Sequence, residues 1–209
     1  MIKQNTKKKE MRPDDPLVMY RIYLNQLSSF SNLLDKLFHF SGITEDIIST
    51  VFDLVWAYIK SAILKLEQGA IIGYKKEDSS ICYYAATDKS VISEKRLIIS
   101  DDSKEAIALN SASESELEFW NYYNKAPNFY LTKPEKHAFC LFLMCKLPSD
   151  ENLFLILSRD IEKRPFLDYE LLAIKVIAKN LGLFFNNLFY SHVHNHILYK
   201  KSKEASVNE

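Results

Sequence analysis

The sequence predicts an α/β chain of the α+β kind: an antiparallel sheet with long N- and C-terminal helices packed on one face. Two observations carry that expectation. Apolar residues recur at helical spacing near both ends, whereas the middle holds short apolar runs separated by turn-like clusters. Most of those runs lie close enough to be joined as hairpins. Hairpin-linked strands with segregated helices pack as a sheet covered by helices on one face.

Residues 1–15 read as a solvated tail ended by Pro13 and Pro16. An amphipathic helix follows over 16–43. Its heptad seam places Tyr20, Leu27 and Leu34 at one position and Tyr23, Phe30 and Leu37 at the other. Ser41-Gly42 breaks it, and the domain proper is expected over 44–200. Thr44 caps a second helix, with Glu45 and Asp46 set against its N-terminal dipole. The buried stripe of that helix runs from Ile48 through Val51, Phe52, Val55 and Ile59 to Leu66, and Gly69 is its expected stop.

The period then changes. Ala70 to Tyr74 and Ile81 to Ala86 form a hairpin around Lys76-Glu77-Asp78-Ser79, and Arg96 to Ser100 is a third strand. Asp101, Asp102 or Ser103 caps a short helix ending near Asn110. Residues 111–136 are the least regular part. His137 to Leu147 and Leu153 to Arg159 form a second hairpin, turned by Pro148 to Glu151. A long helix starts near Leu167 and reaches about Lys200, with a core seam of Ile174, Ile177, Ala178, Leu181, Phe184, Phe185 and Leu188. Residues 201–209 read as a solvated tail.

Composition narrows the function classes. Lys+Arg and Asp+Glu both number 27, so the basic excess of a duplex-binding surface is missing and no nucleic-acid partner is expected. The opening MIKQNTKKKEMRPDD has no apolar stretch of the secretory kind. No uninterrupted apolar run suggests a membrane span, because Lys175, Lys179, Asn180, Asn186 and Asn187 break the best one. The three cysteines, Cys82, Cys140 and Cys145, have no zinc-like spacing. On one strand, the odd offset between Cys140 and Cys145 would put them on opposite faces. A reducing cytoplasm is the expected location.

The stretch CLFLMCKLPSDENLFLILSRDIEKRPFLDYELLAIKVIAKNLGLFFNNLFY, from Cys140 to Tyr190, resembles the C-terminal half of a GAF domain. It has the two-strand hairpin, the polar loop, a signature Phe166 and an acidic helix start at Asp168 and Glu170. The helix from Thr44 into GAIIGY and the hairpin after it resemble the first half, so the likeness covers residues 44–190. The resemblance implies a sensory or regulatory module that dimerises through flanking helices and cups a small ligand over one face of its sheet. The cyclic-nucleotide-binding branch carries Asn-Lys after the final strand, then Phe, three residues and Asp-Glu. Here Arg159-Asp160 and Glu170-Leu171 stand at those places, and only Phe166 matches. A branch that reduces methionine sulfoxide uses loop cysteines, whereas these three fall in expected strands.

Two groups of residues are candidates for binding. In a GAF-like fold the aromatic segment Phe119, Trp120, Tyr122, Tyr123, Phe129 and Tyr130 would lie beside the ligand cavity. Trp120, Tyr122, Tyr123, Phe129 and Tyr130 could stack on a planar ligand, or equally fill the space that ligand-binding relatives leave open. Tyr20, Leu27, Leu34, Phe185, Leu188, Val193 and Ile197 are the candidate dimer seam. His192, His194 and His196 read as a polar helix face, because no further ligand nearer than Glu204 completes a metal set. No Ser-His-Asp set, P-loop or Gly-rich phosphate loop is legible. The expected protein is a non-enzymatic sensory domain in signal transduction, homodimeric, with a small-molecule ligand and a separate output protein. The alternatives are a ligand-free scaffold of the same fold and a methionine sulfoxide reductase.

Overall fold

The computed structural model describes residues 45–62, 66–92, 96–120, 127, 129, 137–160 and 165–207, with backbone alone at 45–47, 61–62, 120, 137 and 191–207. The helix expected over 16–43, with Tyr20, Leu27 and Leu34, lies outside those residues. In chain order the elements are α1 (Glu45–Ala62), β1 (Leu66–Lys75), β2 (Ser80–Ala86), a 3-10 turn (Lys89–Val91) and β3 (Leu97–Ile98). Then come α2 (Lys104–Ser115), β4 (Leu117–Trp120), β5 (His137–Lys146), β6 (Asn152–Asp160) and α3 (Asp168–Val207).

The six strands form one antiparallel sheet in the order β3-β2-β1-β6-β5-β4. The central strands β1, β6 and β5 are covered on both faces, which is why LFLILS in β6 is apolar almost without interruption. On one face, α1 and α3 bury Phe52, Val55, Ile174, Leu181 and Phe185 against Ile71, Phe142 and Leu155. Burial of each large apolar side chain stabilises by about 1.5–3 kcal/mol. On the other face, α2 lays Ala108, Leu109 and Ala112 over Ile72, Phe139 and Ile156. The α1 and α3 layer is the one the sequence predicts, and α2 adds a third layer.

Three expectations are corrected. The second helix ends at Ala62 rather than Leu66, and Leu66 opens β1 opposite Arg159 of β6. Strand pairing thus captures residues whose spacing also suits a helix. Gly69 is accordingly a strand residue and not a helix stop; a Cβ there would lie 2.7 Å from the Trp56 ring of α1. Cys140 and Cys145 share the α3 face rather than opposing each other. A β-bulge between Leu143 and Cys145 inserts the extra residue that reverses the alternation.

The bulge also shapes α3. A Cβ on Gly182 would sit 2.1 Å from the Met144 carbonyl oxygen, so only glycine lets the helix close on the bulged strand. α3 continues to Val207, past the tail expected from residue 201. Its Asp168–Tyr190 portion is long and apolar enough to cross a membrane by length and composition, with half of it buried. The cause is that both sides of this helix carry apolar residues: one packs on the sheet, while Leu172, Val176, Leu183 and Tyr190 face outward.

Candidate functional site

The face under α2 is the one that holds Phe129 of the candidate binding set. Ser103 starts α2 by accepting a 3.1 Å bond from the Ala106 N–H, and Glu116 ends it in the left-handed region at φ 66°. The helix thereby lies over β4 and β5 with its buried alanines inward, which allows a close approach to the sheet. Phe129 is buried beside it, among Tyr83, Phe139 and Leu141 of the same apolar cluster. Its carbonyl accepts a 2.6 Å bond from the Tyr83 hydroxyl. Tyr74 turns its hydroxyl to Asn110 of α2. The polar tips on this face therefore bond within the chain, and its floor is apolar.

Of the five stacking candidates, Phe129 alone has a described side chain, and that side chain belongs to the core, whereas Phe119 of the same segment is exposed on β4. Trp120 is the last residue of β4 and pairs with Phe139. Tyr122, Tyr123 and Tyr130 lie outside the described residues. In the candidate seam, Phe185 is corrected: it is fully buried in the chain's own core and has no surface to offer a second copy. Leu188 is half-buried against that same core. Val193 and Ile197 are in α3, where only the backbone is described, as are His192, His194 and His196. Among the described residues, no group of three His, Cys, Asp or Glu side chains could hold a metal ion.

A second polar centre ties α3 to the sheet. Arg159, at the end of β6, donates from Nη1 to Glu170 Oε2 at 3.1 Å, and both side chains are wholly buried. The guanidinium lies 4.2 Å from the centre of the Phe166 ring. Glu170 Oε2 also accepts the Leu167 N–H at 3.1 Å, reaching back over the first turn as a capping-box residue does. Arg159, Phe166 and Glu170, three of the residues at the places of Asn-Lys, Phe and Asp-Glu, thus make one buried cluster. Sequence reasoning marked each position but missed the coupling. The legible signal was an arginine closing an apolar strand and a glutamate in the first helical turn.

All three cysteines are buried free thiols. Burial raises the Cys140 thiol far above its ordinary value and pushes Cys145 up to about 12. Neither ionises near neutrality, so neither has thiolate character. At the β2 end of the sheet, the buried Glu151 carboxylate accepts from Arg96 at 2.9 Å and from the Tyr84 hydroxyl at 3.0 Å. Desolvation, with Glu151 second, raises the Tyr84 phenol well above its ordinary range.

Solved structures share this fold. The chain superposes on the phycocyanobilin-bound GAF domain of a cyanobacterial phytochrome with a TM-score of 0.57 at 18% identity, covering 82% of this chain and 98% of that one. The fold is GAF-like. The GAF domain of an Acinetobacter phosphoenolpyruvate-protein phosphotransferase gives 0.56 at 12% identity, over 82% and 94% of the two chains. The A. aeolicus nlh2 GAF domain in an inactive state gives 0.51 at 16%, over 80% and 97%. No family model and no curated protein sequence matches this chain. At such identities the GAF likeness is one of fold, and function must be argued from the residues.

Proposed function

We propose that this chain is a non-enzymatic GAF-like regulatory domain in signal transduction, which dimerises through its terminal helices and acts on a separate output protein through α3. The observation that carries this reading is the build of α3. Its start is clamped to the central strand β6 by Arg159 and Glu170, and its inner face is packed on the sheet. The helix has 40 residues, about 60 Å at 1.5 Å per residue. A ten-residue strand such as β5 spans only about 34 Å. A helix fixed to the sheet at one end and longer than it can carry a shift in the sheet outward.

Phe129 supports the form of this reading in which the α2 face is filled from within, the scaffold alternative. A small molecule bound there would have to displace Phe129 and break the bond from Tyr83 to its carbonyl. The burial of all three thiols, with Cys140 and Cys145 raised well above their ordinary value, weighs against sulfoxide reduction, which needs an accessible thiolate. They also suit a reducing cytoplasm.

Native mass spectrometry of the full chain tests both parts. A dimer at twice the chain mass is expected. A dimer carrying the mass of a small organic molecule overturns the filled-face form and identifies a ligand-binding sensor. A monomer at micromolar concentration overturns dimerisation.

A further inference from the structure

Glu116, at the turn from α2 into β4, is bonded to three elements at once. Its N–H donates to the Ala112 carbonyl of α2 at 2.9 Å, and its own carbonyl accepts the Leu143 N–H of β5 at 3.1 Å, beside the bulge. Its carboxylate meets two lysines of α3. Oε1 lies 2.7 Å from the Lys179 ammonium, and Oε2 lies 3.2 Å from that of Lys175. α2 and α3 pack on opposite faces of the sheet. The carboxylate therefore reaches past the start of β4 from one layer to the other.

The backbone does not account for a glutamate here. Glu116 closes α2 at φ 66°, a conformation that glycine or asparagine adopts at less cost. What glutamate adds is its charge. The lysines need that charge, because two like charges four residues apart on one helix repel. The stretch of α3 that follows also contains Asn180 and Gly182, which are poor helix formers. The two helices are held unequally. α2 buries Ala106, Ala108, Leu109 and Ala112, which is little apolar area beside the Ile174, Leu181, Phe184 and Phe185 of α3. Of the two, α2 is the one that opens first.

We propose that Glu116 makes the middle of α3 responsive to the seating of α2. With α2 seated, the carboxylate holds Lys175 and Lys179 together and offsets their repulsion. When α2 lifts, the left-handed turn that aims the carboxylate is lost, and α3 loosens from Lys175 to Gly182. This rests on the reading of α3 as the output helix and adds an input to it. The input arrives from α2, around the sheet, at a point separate from the clamp of Arg159 and Glu170.

The test is amide hydrogen exchange of the full chain, followed by mass spectrometry in α2 and in residues 175–182. Ser103→Ala loosens α2 from its far end by removing the N-cap. Glu116→Gly removes the carboxylate and keeps the left-handed cap. Asp53→Asn, which breaks the exposed Lys89–Asp53 pair on α1, is the control. With Glu116 present, Ser103→Ala should speed exchange in α2, and by about two- to fivefold in 175–182, the range of an exposed ion-pair cluster. Glu116→Gly should speed 175–182 by about the same factor while α2 stays protected. Adding Ser103→Ala to it should then leave 175–182 no faster. Asp53→Asn should leave 175–182 unchanged. Ala108→Gly takes the place of Ser103→Ala if α2 exchange does not respond to loss of the cap. The coupling is overturned if 175–182 ignores Glu116→Gly, or responds to a loosened α2 equally with and without Glu116. A matching response to Asp53→Asn overturns it as well. Dimerisation is decided by the mass measurement above, so the two readings fail separately.

Discussion

Gly182 and Glu170 are the two residues on which the placement of α3 depends most directly. Alanine at 182 would gain up to about 1 kcal/mol of helix propensity. It would also drive a methyl into the Met144 carbonyl, a backbone atom that the bulge holds in place. The steric term should win, with Gly182→Ala destabilising by roughly 1–3 kcal/mol in urea unfolding. Loss of the Glu170 carboxylate is worse, because it leaves the buried Arg159 charge without its Glu170 counter-ion. Glu170→Ala should cost about 3–5 kcal/mol, whereas replacing both partners by Leu and Met should restore most of that. A double variant as unstable as the single one would show that the pair matters through its shape and not its charge.

At the scale of elements, the C-terminal end of α2 is tied to α3 by a surface cluster. The hydrogen bonds from Lys179 and Lys175 hold the Glu116 carboxyl below its ordinary value near 4.5. A depressed folded-state value means that the contribution is present above the unfolded value. It is then lost as pH falls through the folded one. The tie should therefore hold at neutral pH and release only in acid, below the usual carboxylate range. Lys179→Ala should move the Glu116 titration, followed by carboxyl NMR, back toward its ordinary value. An unchanged titration would mean that Lys175 alone sets it. The groups are partly exposed, so the effect on global stability should be small and salt-sensitive.

For the whole molecule, the burial of all three cysteines makes thiol reactivity a report on global opening. The native chain should react slowly with an aromatic disulfide reagent, and the unfolded chain should release three equivalents. Rapid native reaction at any one thiol would reveal local opening and reinstate a thiol-based reading. The α2 face has the same closed character, with Phe129 occupying space and Tyr83 and Tyr74 already bonded within the chain. Among the described residues, the outward side of α3 exposes Leu172, Val176, Leu183 and Tyr190, on the helix that the proposed function concerns.

The sequence by itself determined the two hairpins, a helix cap among Asp101, Asp102 and Ser103, and the core stripe of α3, because each follows from local period and turn chemistry, but not β4, which lies in the stretch read as least regular. It also carried the GAF likeness in the run from Cys140 to Tyr190. Tertiary structure decided the rest. Pairing with β6 turned Leu66 and Gly69 from helix into strand, and a bulge placed Cys140 and Cys145 on one face. The Arg159–Glu170 pair joins residues whose charges are visible in the chain but whose meeting depends on how β6 and α3 pack. The outward apolar side of α3 was hidden for a related reason. Apolar residues on both sides of a helix blur its amphipathic signal, and only packing one side on a sheet tells the two apart.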